Sequence, residues 1–185
     1  ENWDMERQAL EVFDTRSVDG LVVAPAPGSD ASSIEKLGNR IPLVVIDRDL
    51  PGLDVDSVLV DNVAGAASAT RHLVNLGHRE IGLVTEPPVI SSVRERIQGY
   101  EQVLEENGLA TSPSLRAEGT PRLEGGLLAA TELLNSPDRP HAIFATTNTM
   151  TAAVLAAAAE LGLKIPEDLS LVGFDDSEWM RLVSP

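Results

Sequence analysis

Six short apolar runs, at residues 21–24, 43–46, 58–60, 81–84, 142–145 and 171–174, alternate with stretches of helical period, and this alternation restricts the fold more than any other feature. The runs are continuous and rich in Val and Ile, as in Leu43-Val44-Val45-Ile46, whereas a half-exposed strand would intersperse polar residues. Continuity fits strands buried on both faces of a parallel sheet, with crossover helices covering it on either side. Helical patterns fall between the runs, at 4–15, 32–39, 64–76, 92–107, 124–134 and 149–161. Strand and helix in alternation read as right-handed βαβ units, hence an α/β fold of parallel sheets flanked by helices.

Loop chemistry marks where these elements stop and start. Gly77, Gly108 and Gly162 each follow a helical run, where a residue free to adopt positive φ closes the last turn. Ser91 and Ser92 stand ahead of the fourth helix, Asn62 ahead of the third and Asn148 ahead of the last, and each is expected to cap exposed N–H groups. Gly28-Ser29-Asp30 reads as a loop leading into another helix cap. No P-loop, dinucleotide fingerprint or nucleophile-elbow pattern occurs, so none of those chemistries has support.

A chain of 185 residues that is 43% hydrophobic has room for one large domain or two small ones. Cysteine is absent, which excludes disulfides and thiolate metal sites, and His72, His78 and His141 have no clustered partners. No metal and no cofactor is therefore expected. Nowhere do about 18 apolar residues follow one another, so no membrane association is expected. The formal charge of −15 is spread along the chain, and such a field repels phosphate backbones. The polypeptide is not expected to bind DNA by itself.

Open parallel sheets hold ligands beyond the carboxyl ends of their strands, so polar residues directly after each apolar run are the candidates for a site. That rule selects Asp47, Asp61, Thr85, Thr147, Asn148, Asp175 and Asp176. Asp47 taken alone is equally a turn aspartate bonded to its own backbone. Asp175 and Asp176 are adjacent carboxylates at a buried strand end, and an arginine, a ligand hydroxyl or helix N–H groups must offset their repulsion. Arg94 and Arg96 open a helix, where a planar guanidinium facing a cleft forks onto two ligand oxygens, although most arginines merely lie in solvent.

One short catalytic pattern competes with a binding role. Asp47-Arg48-Asp49 after an apolar strand resembles the first motif of haloacid-dehalogenase-type phosphatases, in which the first carboxylate attacks phosphorus and the second handles the proton. That resemblance implies Thr85 as the strand-end hydroxyl and Asp175-Asp176 as magnesium-binding acids. Pro51, however, stands where the motif has Thr or Val.

A longer series of signatures, in order along nearly the whole chain, resembles the LacI/GalR transcriptional regulators. It comprises Val18-Asp19-Gly20-Leu21-Val22-Val23, Ile41-Pro42-Leu43-Val44-Val45-Ile46-Asp47-Arg48, Val60-Asp61-Asn62, His72-Leu73 and Gly77-His78-Arg79-Glu80-Ile81. It continues through Arg94-Glu95-Arg96-Ile97-Gln98-Gly99-Tyr100 and Glu124-Gly125-Gly126 to Ile165-Pro166-Glu167-Asp168-Leu169-Ser170-Leu171-Val172-Gly173-Phe174-Asp175-Asp176. Periplasmic sugar-binding proteins share the fold and supply the alternative reading, but Gly-His-Arg and Pro-Glu-Asp look more like the regulators.

The resemblance implies a periplasmic-binding-protein-like core of two Rossmann-like subdomains, with residues 1–60 in a partial N-terminal one and 61–185 in a C-terminal one. It implies that both subdomains clamp one small effector, a sugar or polyol. Arg96, three residues before Gly99, falls on the family's effector-contacting arginine, Asp175 on its strand-end aspartate and Asp47 on its N-subdomain contact. Thr147-Asn148 stands where the family often has Asn-Asp, which keeps hydrogen bonding but loses a carboxylate. The expected protein is not an enzyme but a cytoplasmic homodimer that meets operator DNA through a helix-turn-helix headpiece. Effector binding would change the spacing of two recognition helices, which half-site geometry converts into affinity. Against this pattern the chain is expected to be truncated at both ends, lacking the headpiece, the first βαβ segment and the last returning strands.

Overall fold

The computed structural model describes residues 2–16 and 18–183. Their contacts form two compact units, one built on the chain up to Asp61 together with Val89–Ser92, the other on Asn62–Pro88 and Val93 onward. Each holds a sheet in which all paired strands run parallel, and helices flank the sheets, so the fold is the α/β one expected.

The first unit contains α1 (Trp3–Thr15), β1 (Leu21–Val23), α2 (Ala31–Gly38), β2 (Leu43–Ile46) and β3 (Asp56–Val58), with sheet order β1-β2-β3. Asn2 caps α1 by accepting from the Met5 N–H at 2.9 Å, and Asp30 caps α2 by accepting from Ser32 N–H at 3.1 Å. Leu10, Ile34 and Leu37 of the two helices pack on Val23, Leu43 and Val45 of the strands. Only one face of this sheet is buried, so the expectation of strands buried on both faces fails here. β2 buries alternate residues, Leu43 and Val45, while β3 is exposed throughout because Asp56 and Ser57 give an edge strand little to bury.

The second unit contains α3 (Asn62–Asn75), β4 (Ile81–Thr85), α4 (Ser91–Glu106) from Val93 onward, β5 (Arg116–Glu118), α5 (Leu123–Leu134), β6 (Ala142–Ala145), α6 (Asn148–Glu160) and β7 (Ser170–Gly173), with sheet order β5-β4-β6-β7. The two inner strands, β4 and β6, are buried at every residue. Val84, Ile143 and Ala145 pack on one face with Ala130, Leu133, Met150 and Val154 of α5 and α6. Neighbouring residues along the same strands point the other way. There Tyr100 of α4 stacks on Phe144, with ring centroids 6.4 Å apart, and donates its hydroxyl to the Ile81 carbonyl at 2.6 Å. Burial pushes the Tyr100 phenol well above its ordinary range, keeping it a donor.

Helix stops follow expectation, with Gly77, Gly108 and Gly162 at φ of 97°, 64° and 69°. Helix starts are shifted by a residue or two. Asn62 and Ser91 are the first residues of α3 and α4, and Thr147 rather than Asn148 caps α6. Thr147 is extended, at φ −143°, so its hydroxyl reaches the Met150 N–H at 3.2 Å.

Candidate ligand site

Register brings the polar strand ends of the second unit to one level. Val84 of β4 pairs with Ala145 of β6, which pairs with Gly173 of β7. Pairing continues one step further, since Thr146 N–H donates to Val84 O and Phe174 N–H to Ala145 O, each at 3.0 Å. The next residues along three adjacent strands are therefore Glu86, Thr147 and Asp175, side by side at the carboxyl edge of the sheet, where an open parallel sheet holds ligands.

Arg96, from the second turn of α4, is 6% exposed and anchored by its surroundings. Its Nε donates to Asn62 Oδ1 at 2.9 Å and its Nη1 to the Thr146 carbonyl at 2.8 Å. Nη1 lies 3.7 Å from Asp175 Oδ2, and the guanidinium carbon sits 3.8 Å from the centre of the Phe174 ring. Phe174 can lie there because residue 65 is glycine: a Cβ on Gly65 would come within 2.9 Å of that ring.

Asp175 takes φ 75°, and its Oδ2 accepts from the Asn148 N–H, the first amide of α6, at 3.3 Å. An arginine and a helix N-terminus thus offset its charge. Asp176 is exposed and pairs with Arg181 at 3.5 Å. The Thr147 hydroxyl donates to Glu86 Oε1 at 3.0 Å while capping α6. Asn148 Nδ2 donates to Ser177 Oγ at 2.9 Å, and Asn62 Nδ2 to Glu95 Oε2 at 2.8 Å. Arg96, Thr147, Asn148 and Asp175 accordingly stand together in one wall at the strand ends of the second unit.

Asp47 belongs to the first unit, at the carboxyl end of β2. It has φ 67°, its N–H donates to Val58 O at 3.1 Å, and its carboxylate lies 3.4 Å from Arg48 Nε. Asp47 and Asp175 are the two non-glycine residues with positive φ among the described residues, a conformation that aspartate tolerates better than most. A hollow of about 470 Å³ in the same unit lies between α1 and α2. Four of its charged residues pair among themselves, Arg7 with Glu11 and Arg40 with Asp14, and no strand residue lines it, so the chemistry favours the strand ends over this hollow.

The phosphatase resemblance needs an available hydroxyl at Thr85. That side chain is fully buried, donates to the Glu86 carbonyl at 3.0 Å and accepts from the Thr146 hydroxyl at 3.0 Å. Thr85 is therefore the last residue inside β4, and the residue at the strand end is Glu86.

A family profile described as a periplasmic binding protein-like domain matches residues 70–185. The chain belongs to that family. Relatives of this periplasmic-binding-protein-like chain are LacI-type repressors and regulators: a ribose operon repressor of Haemophilus influenzae is 35% identical over 179 residues, 97% of this chain and 54% of the relative. A sugar-binding transcriptional regulator of the LacI family from Escherichia coli, complexed with phosphate, aligns over 99% of this chain and 66% of its own, at 26% identity and TM-score 0.84. The cellobiose complex of the transcriptional regulator CelR aligns over 94% of this chain and 54% of its own, at 30% identity and TM-score 0.82. The chain spans about half the length of the curated relatives it matches. Among the described residues no helix is long and apolar enough to cross a membrane.

Four residues of this wall are not among the candidates that the sequence offers: Glu86, Phe174, Thr146 and Asn62. Glu86 had an available signal, since it is the first charged residue after the 81–84 run. Asn62 had only the signal of a helix cap, and Phe174 only that of a strand residue.

Proposed function

We propose that the chain is the effector-sensing core of a LacI-type regulator, binding a sugar or sugar-like polyol and controlling a DNA-binding headpiece in a longer protein. The observation that carries this reading is the wall of Arg96, Thr147, Asn148 and Asp175, in which donors and acceptors stand together at strand ends and the key aspartate is held in a rare backbone conformation. Asp47, in the same conformation at a strand end of the other unit, is a ligand contact by the same reasoning. Mixed donors and acceptors suit hydroxyls, which both give and take hydrogen bonds. The ribose operon and cellobiose of the relatives' names agree with a carbohydrate. No step of this function is catalytic, and the regulator acts as a cytoplasmic homodimer.

The experiment is a thermal-shift screen of the chain against neutral monosaccharides and disaccharides. A ligand present at about a hundred times its Kd stabilises by about 2.7 kcal/mol, so at least one sugar raises the melting temperature by several degrees. No shift with any sugar contradicts the reading. The alternative, a periplasmic-type sugar-binding protein, predicts the same shift, and the coding sequence upstream of Glu1 separates the two: a helix-turn-helix supports the regulator, a signal peptide the alternative.

A further inference from the structure

We propose that the strand-end wall of the second unit selects uncharged, hydroxyl-rich sugars over their phosphate esters, with Glu86 as the specificity-determining residue; this rests on the sugar-sensing reading above. Two features of the wall attract anions, the Arg96 guanidinium and the N-terminus of α6. Asp175 already serves both, with Oδ2 at 3.7 Å from Arg96 Nη1 and 3.3 Å from the Asn148 N–H. Arg96 is further committed to Asn62 and the Thr146 carbonyl, and Phe174 covers one face of its guanidinium. A phosphate group approaching these donors would compete with the protein's own carboxylate.

On the other side of Thr147 the wall presents a second carboxylate. Glu86 is 7% exposed, and its Oε1 accepts from the Thr147 hydroxyl at 3.0 Å. Its Oε2 has no hydrogen-bond partner among the described residues. Oε2 is not one of the fully buried unpartnered atoms, so it is open to a donor from outside, and a ligand hydroxyl supplies one. A phosphate dianion offers only acceptors and places like charge between Glu86 and Asp175, in the field of a chain with formal charge −15. Glu95, bonded to Asn62, adds a third carboxylate behind a single arginine.

The test is calorimetric titration of the chain with matched pairs, ribose and ribose 5-phosphate, glucose and glucose 6-phosphate, fructose and fructose 1-phosphate, with inorganic phosphate alongside. In the pair that binds, the ester is expected to be weaker by at least about tenfold, and inorganic phosphate to give no heat. Raising the salt from about 20 mM to about 500 mM is expected to narrow the gap, because screening weakens repulsion of the ester and leaves the neutral sugar untouched. Glu86→Gln, which removes the charge and keeps the shape, is expected to narrow it by about threefold or more in a protein that melts as the parent does. An ester that binds as tightly as its neutral partner, or a gap insensitive to salt, overturns the selectivity. So does a gap unchanged in a folded Glu86→Gln protein; should that variant not fold, the salt series decides alone. Esters binding without their neutral partners would sink the selectivity and leave sugar sensing standing, whereas silence from every neutral sugar and every ester sinks the sensing reading and this inference with it.

Discussion

Replacing Gly99 by alanine is expected to lower the melting temperature of the chain by about 10 °C, the equivalent of about 3 kcal/mol. A Cβ on residue 99 would lie 2.2 Å from the Val63 carbonyl oxygen, 2.9 Å from the Ala67 nitrogen and 3.0 Å from the Ala66 Cβ. Two of these neighbours are backbone atoms of α3, which cannot rotate out of the way as a long side chain can. The helices must separate, and the contact between α3 and α4 that opens is the one that seats Arg96. Gly99 lies one turn beyond Arg96, whose Nε reaches α3 through Asn62 at 2.9 Å. Weaker sugar binding should therefore accompany the lost stability. Thermal denaturation followed by circular dichroism checks the first part, and an unchanged melting temperature would mean that the helices approach less closely than described.

Arg96→Ala is expected to weaken sugar binding at least about a hundredfold, some 2.7 kcal/mol, while the chain still folds. The core of the second unit, built around Val84, Ile143, Met150, Val154 and Leu169, does not include Arg96. Removing the side chain does strip the Thr146 carbonyl and Asn62 Oδ1 of a donor and leaves Asp175 without its cation. A loss of about 1–3 kcal/mol in stability follows from those unmet groups. Arg96→Lys separates the two effects, because it keeps the charge and loses the planar fork. Its stability is expected to fall between parent and alanine variant, with binding still impaired because Asp175 and the strand ends are no longer held in register. Calorimetry with whichever sugar the screen identifies supplies the measurement, and unchanged affinity in the alanine variant removes Arg96 from the site.

Much of the fold was legible because each element carries its own periodicity. Among the described residues five of the six apolar runs coincide with strands, the run 58–60 meets β3 only at Val58, and all six α-helices lie within two residues of their expected bounds. The strand that escaped, β5, reads Arg-Ala-Glu and sits at a sheet edge, where it buries too little to show an apolar run. Burial on both faces was read correctly for β4 and β6 and wrongly for β1, β2 and β3, because local sequence does not reveal how many helical layers cover a sheet.

The wall was legible only in part, for a similar reason. A threonine closing the run 81–84 looks like the end of a strand, yet the ladder extends through Thr85 and moves the strand-end position to Glu86. Along a strand a slip of one residue exchanges inward and outward side chains, which is why a hydroxyl was expected where a carboxylate stands. Phe174 under Arg96 depends on the absent side chain of Gly65, more than a hundred residues away in the chain, and no local pattern encodes such a pairing. Arg96 is singled out among the arginines by the family resemblance alone, whereas Asp175 is a candidate also from its place directly after an apolar run.

The most direct test locates the ligand on the protein. In ¹H–¹⁵N spectra of the chain titrated with the sugar that stabilises it, the account predicts that the largest shifts cluster at the amides of Glu86, Thr147, Asn148 and Asp175 and at the Arg96 Nε–H. Shifts concentrated instead on α1 and α2 around Arg7 and Lys36, with the strand ends of the second unit unmoved, would contradict it.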